Sequence, residues 1–166
     1  MPLYFRDNFF SAGVTEIMNE QGERIGEVDL KTMFGSSLDI RELDGKLVCH
    51  GSFRFFSNKW EVTDGGERLL GVLRARMAMF SKKFEYASEN NQTYYINSPA
   101  FSKAYEIKDH QEQIVAAFER TSNWLMPSAF RLDNITHALD DYELIAVVLG
   151  VNAIHKRHND AAAGSH

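Results

Sequence analysis

The stretch Asp140-Asp141-Tyr142-Glu143-Leu144-Ile145-Ala146-Val147-Val148-Leu149-Gly150-Val151-Asn152-Ala153-Ile154-His155-Lys156-Arg157-His158 decides the fold of this 166-residue chain. From Leu144 to Val151 every residue is apolar, and Asn152 alone is polar before Ala153 and Ile154. A helix that is apolar all round must be buried all round. Residues 144–154 fall well short of the ~20 that a bilayer span requires, so the segment reads as a core helix and no membrane span is expected. Asp140 and Glu143 have the spacing of a capping box with Asp as N-cap, and Asp141 adds negative charge at the positive end of the dipole. His155, Lys156, Arg157 and His158 place cations at the other end.

Such a helix needs a wall on every side, and the preceding residues supply one. A Phe followed by Ser or Gly recurs at Phe10-Ser11, Phe34-Gly35, Phe56-Ser57, Phe80-Ser81 and Phe101-Ser102, 21 to 24 residues apart. That is the length of one β-hairpin and its connector. Midway between the markers stand turn signals: Glu20-Gln21-Gly22, Asp44-Gly45, Asp64-Gly65-Gly66, Asn90-Asn91 and Asp109-His110. Asp-Gly and Asn-rich pairs supply the positive φ of tight hairpin turns. The flanking runs alternate with period two, as strands with one buried face do. Leu38 and Ile40 alternate with Asp39 and Arg41; Leu47, Cys49, Gly51, Phe53 and Phe55 share one parity. The same holds for Trp60 and Val62, Phe84 and Tyr86, Tyr94 and Ile96, Tyr105 and Ile107, for Ile114, Ala116 and Phe118, and for Phe130 and Leu132. The count is about twelve antiparallel strands. The expected fold is therefore mainly β: a closed antiparallel barrel around a central hydrophobic C-terminal helix. A sandwich with the helix outside would leave half the apolar helix surface in water, at ~25 cal/mol per Å².

Composition narrows the function. Lys+Arg 18 against Asp+Glu 23 gives a net charge of -5, so no nucleic-acid partner is expected, because phosphate neutralisation needs surplus cations. The lone Cys49 excludes an internal disulfide and a multi-cysteine zinc site, and fits a reducing, cytoplasmic setting. The N-terminus meets Arg6 and Asp7 before any secretion-signal core is built. A single domain over residues 1–158 is expected, with residues 159–166 a disordered tail whose Ala161-Ala162-Ala163-Gly164-Ser165-His166 reads like a vector linker.

The hairpin repeats with Phe-Ser and Asp-Gly punctuation are clearest from Leu43 to Tyr86, in Leu-Asp-Gly-Lys-Leu, Lys-Trp-Glu-Val-Thr-Asp-Gly-Gly and Phe-Ser-Lys-Lys-Phe-Glu-Tyr. Together with the closing apolar helix, they make the chain resemble the LURP-one-related proteins of the tubby-like superfamily, from about Leu3 to Lys156. The resemblance implies a twelve-stranded barrel threaded by a hydrophobic helix. Tubby itself binds phosphoinositides through basic side chains, but none of those positions is matched here. Phospholipid scramblases share the fold and carry a palmitoylated cysteine cluster, whereas this chain has Cys49 alone.

Arg74, Arg76, Lys82 and Lys83 form the candidate anion or lipid-binding group, Arg74 and Arg76 projecting from one strand face and the lysines following Phe80-Ser81. A solvated outer face is the competing reading. The six histidines offer no metal set: His155 and His158 read as dipole caps, His50 lies on a polar parity, and His110 and His137 sit in turns. Cys49 shares the inward parity and reads as an inert thiol. There is no Gly-x-Ser-x-Gly elbow, phosphate loop or His-Glu-x-x-His pair, so neither catalytic residues nor a cofactor is expected. The sequence thus favours a non-enzymatic binding module that engages an anionic lipid headgroup or a protein partner. The alternative is a small-ligand protein or enzyme with a site at a barrel mouth.

Overall fold

A computed structural model describes residues 1–31, 36–76, 82–98, 103–121 and 130–164, with Lys82 described by its backbone only. Among the described residues the strands are β1 (Leu3–Phe5), β2 (Gly13–Met18), β3 (Arg24–Leu30), β4 (Ser37–Glu42), β5 (Leu47–Phe53) and β6 (Trp60–Asp64). They continue as β7 (Leu69–Arg76), β8 (Lys82–Ser88), β9 (Thr93–Ser98), β10 (Tyr105–Lys108), β11 (Ile114–Arg120) and β12 (Phe130–Asn134). A 3₁₀ turn (Asp7–Phe10) joins β1 to β2, and the helix α1 (Asp141–Ala163) follows β12. Each strand pairs antiparallel with its sequence neighbours, and β1 pairs with β12, which closes the barrel and removes its edges.

The meander gives the barrel two unlike ends. The turn end holds the hairpin turns after β2, β4, β6, β8 and β10; the connection end holds the links after β1, β3, β5, β7, β9 and β11. At the turn end, Asn19, Asp64 and Asp109 act alike. Each side-chain oxygen accepts the backbone N–H groups two and four residues on, at 2.8 to 3.0 Å. The residue three further on carries the positive φ: Gly22 at 77°, Glu67 at 65° and Glu112 at 63°. The glycines of Asp64-Gly65-Gly66 and the pair Asp109-His110 do not supply it, because the loop is a turn followed by a bulge, and the bulge places the left-handed residue last. Of the Phe markers, Phe10-Ser11 and Phe56-Ser57 stand at the connection end. Phe34-Gly35, Phe80-Ser81 and Phe101-Ser102 lie outside the described residues.

Alternation places Trp60, Phe84, Tyr105 and Phe118 in the core, with Phe53 partly buried against it. Arg54, Glu106 and Glu119 are exposed, while Glu61 and Glu85 are half-buried beneath arginines that pair with them. Two positions break the expected parity. Phe55 is exposed because β5 ends at Phe53, and Ile114 is exposed because the bulge opposite Lys108 turns Val115 inward instead.

The helix occupies the barrel interior, and all of Leu144–Val151 is buried. Asp140 caps it, accepting the Tyr142 N–H at 2.9 Å. Trp60 locks it to the wall: the indole N–H donates to the Ala146 carbonyl at 3.2 Å, and the ring lies in a slot between two glycines. A methyl group on Gly150 would stand 2.5 Å from this ring and one on Gly51 would stand 2.6 Å away, so only glycine fits either place. Phe5, Phe9, Phe10, Phe118 and Phe130 pack together in the same core, their ring centroids 4.4 to 6.4 Å apart. The helix continues through residues 159–163, past the end expected at His158. Three successive alanines, strong helix formers, extend it, and the His155–His158 cations stand inside the helix rather than capping its end.

Candidate functional site

The barrel separates charge between its ends. The tight turns carry Glu20, Glu23, Asp44, Glu67, Glu89, Asp109 and Glu112, against Lys46 and Arg68. The links at the opposite end carry Arg6, Lys31, Arg54, Lys59 and Lys103, against Asp7. Lys156 and Arg157 join them there, since Lys156 Nζ donates to the Phe10 carbonyl at 3.2 Å and Arg157 to the Ser57 carbonyl at 2.9 Å. The chain segments outside the described residues contain no Asp, Glu, Lys or Arg, so they do not alter this polarity.

Within this end the expected basic group is only partly assembled. Arg74 and Arg76 do share the outer face of β7, but both guanidinium groups grip Glu85 on β8, at 2.8 and 3.3 Å. Arg76 also lies 5.4 Å from the centroid of the Tyr95 ring. Lys83 sits opposite Arg76 and is exposed; the Lys82 side chain lies outside the described residues. One carboxylate therefore neutralises part of the group, and alternation alone could not show this because Glu85 belongs to another strand.

A second cluster was not legible in the alternation. Lys103 precedes β10, Arg120 ends β11 and Lys156 lies on α1, yet the three come together at Phe10 and Phe130, Lys103 and Arg120 over the rings and Lys156 on the Phe10 carbonyl. Lys103 Nζ lies 4.7 Å from the Phe10 centroid, Arg120 lies 5.5 Å from that of Phe130, and the two rings are 5.2 Å apart. Partial burial pushes the Lys103 pKa down, and the positive charges of Lys156 and Arg120 push it further in the same direction. Like charges held together raise the energy of the unliganded state, and a bound anion relieves it. The signal was present in the lysines that follow the Phe-Ser markers: Phe56-Ser57-Asn58-Lys59, Phe80-Ser81-Lys82-Lys83 and Phe101-Ser102-Lys103.

The other titratable groups read as parts of the fold. Asp39 accepts from His50 at 2.7 Å, Lys31 at 3.3 Å and Arg41 at 3.0 Å on the outer wall. Burial works to raise the Asp39 pKa, but the hydrogen bonds from His50 and Lys31 prevail and lower it. Its oxygens are thus engaged by hydrogen-bond donors rather than poised as a base. Cys49 is buried, and desolvation pushes its thiol up to about 12, which leaves it unreactive. Tyr86 donates to the buried Glu143 carboxyl beside the start of α1. His155 packs against Phe84, with ring centroids 4.9 Å apart. Among the described residues no three His, Cys, Asp or Glu side chains stand together as a metal site, and no helix is long and apolar enough to cross a membrane.

The LURP-one-related family model matches residues 1–149. The chain belongs to the LURP-one-related family. An X-ray structure of an Arabidopsis thaliana protein is similar to it in fold, with a TM-score of 0.61 at 16% sequence identity, covering 93% of this chain and 91% of that chain. No curated protein matches the sequence significantly. Membership accounts for the closed barrel and its C-terminal helix, while the basic end must be judged on this chain's own residues.

Proposed function

We propose that this LURP-one-related barrel is a non-enzymatic binding module whose connection end docks on anionic phospholipid headgroups, from the cytoplasmic side. The observation that carries this reading is the cation cluster of Lys103, Arg120 and Lys156, which joins three separate elements, two cations over the paired Phe10 and Phe130 rings and the third on the Phe10 carbonyl, without a carboxylate among the contacts described. Lys83 and the half-neutralised Arg74 and Arg76, with Lys82 beside them in sequence, extend the positive edge of the same barrel end. The overall charge of -5 does not oppose docking, because the acidic residues gather at the far end and fields between exposed charges decay over ~8 to 10 Å. The inert thiol and the fully engaged Asp39 lend no support to a catalytic alternative.

Vesicle co-sedimentation tests the reading. Each cation near an anionic surface contributes ~1 kcal/mol, so reversing two lysines weakens binding by about tenfold or more. Lys103→Glu with Lys156→Glu is expected to lower affinity for phosphatidylserine vesicles, most strongly at low salt. Lys82→Glu with Lys83→Glu, measured separately, reports whether the β7–β8 edge takes part. Wild-type protein that ignores acidic vesicles at low ionic strength overturns the proposal and leaves an acidic protein partner as the occupant to seek.

A further inference from the structure

The link between β5 and β6, residues 54–59, carries two adjacent phenylalanines that no part of the core covers: Phe55 is 84% exposed and Phe56 is 95% exposed. Single exposed apolar residues are ordinary on protein surfaces. Here the two rings lie against each other at a tilt of 56°, centroids 4.1 Å apart, at the tip of a hydrogen-bonded loop. The Ser57 N–H donates to the Arg54 carbonyl at 3.1 Å, the Arg54 N–H to the Lys59 carbonyl at 2.9 Å, and the Lys59 N–H to Ser57 Oγ at 3.1 Å. From the helix, Arg157 donates to the Ser57 carbonyl at 2.9 Å and lays its guanidinium 3.7 Å from the Phe53 centroid, while Phe53 stands edge-on to Trp60. The exposed rings are thereby tied to the centre of the barrel.

Phe56 has a φ of 51° at the third position of the turn, where Gly or Asn is the locally favoured residue. Neither packing nor local backbone preference accounts for a phenylalanine there. Its surroundings are cationic: Arg54, which pairs with Glu61, then Lys59, then Arg157. An aromatic tip with a basic collar matches the boundary of an anionic bilayer, where rings enter the acyl zone and cations remain among the phosphates.

We propose that Phe55 and Phe56 form an insertion tip that enters the interfacial layer of an anionic membrane, with Arg54, Lys59 and Arg157 set among its headgroups. The proposal rests on docking through the connection end and adds to it a component that salt does not remove. The experiment uses the full chain with vesicles of phosphatidylcholine and phosphatidylserine. Phe55→Ser with Phe56→Ser is expected to weaken binding by about tenfold or more at both low and high salt, as loss of buried apolar surface requires, with an unchanged melting transition. Phe56→Gly relieves the backbone strain, so it is expected to bind less tightly while melting no earlier than wild type. Phe56→Trp is expected to be quenched by brominated acyl chains beyond the level of the wild-type tryptophans. Vesicle binding that survives the double serine substitution, or a residue-56 tryptophan that brominated lipid does not quench, overturns insertion while leaving headgroup docking intact. No binding by wild type overturns both.

Discussion

At the turn end, Asn19, Asp64 and Asp109 each close a hairpin using only neighbouring residues, whereas at the connection end Lys103, Arg120 and Lys156 meet from three separate elements. The first end obtains its geometry from local hydrogen bonds. The second obtains its geometry from barrel closure and from the position of α1. The two ends therefore answer to different substitutions, and their roles are separable: one holds strands in register, and the other gathers charge and aromatic surface.

The largest effect is expected from a change that removes both ends together. Val148 is buried at the middle of the apolar Leu144–Val151 run of α1. An unpaired charge there costs several kcal/mol against a total stability of ~5 to 15, so Val148→Asp is expected to abolish folding, seen as loss of near-ultraviolet dichroism and of a melting transition. A cooperatively melting Val148→Asp protein would sink the enclosed-helix architecture. Next in size, Asp64→Ala and Asp109→Ala each remove one acceptor shared by two backbone N–H groups. Each is expected to cost about 1 kcal/mol in denaturant unfolding while leaving vesicle affinity unchanged. Reversal of Lys103 and Lys156 should do the opposite, and equal effects of both pairs on both measurements would erase the distinction between the ends.

The smallest effect concerns pH. Burial raises the Glu143 pKa, more strongly than the Tyr86 hydrogen bond lowers it. The folded carboxyl thus holds its proton more tightly than the unfolded one does. Its stabilising contribution is complete below the unfolded pKa and is lost as pH rises through the folded value. Glu143→Gln keeps an acceptor for Tyr86 but has no proton to lose, so its stability is expected to fall less than that of wild type as pH rises across that window. Parallel stability–pH curves for the two proteins would refute this.

The same contrast explains what the sequence disclosed. The apolar run from Leu144 to Val151 and the alternating strands led directly to a barrel with an inner helix, because burial on all sides and burial on one side leave different periods. All the tight turns fell where Asp, Asn and Gly placed them, since turn chemistry acts within a few residues. Alternation is silent where a neighbour in space rather than in sequence decides the outcome. Glu85 partly neutralises Arg74 and Arg76 from the next strand, and the bulge opposite Lys108 reverses Ile114. The Lys103 cluster was hidden for the same reason.

The pairing of β1 with β12 has a consequence for synthesis. The first strand cannot find its partner across the seam until β12 has been made, and the helix that fills the interior is made later still. During translation the growing sheet has open edges and an uncovered apolar face, the features that promote association with other chains. Topology of this kind, with contacts between residues far apart in sequence, also slows folding. Closure thus waits for β12, and the interior is filled only when α1 follows and Trp60 meets its place between Gly51 and Gly150.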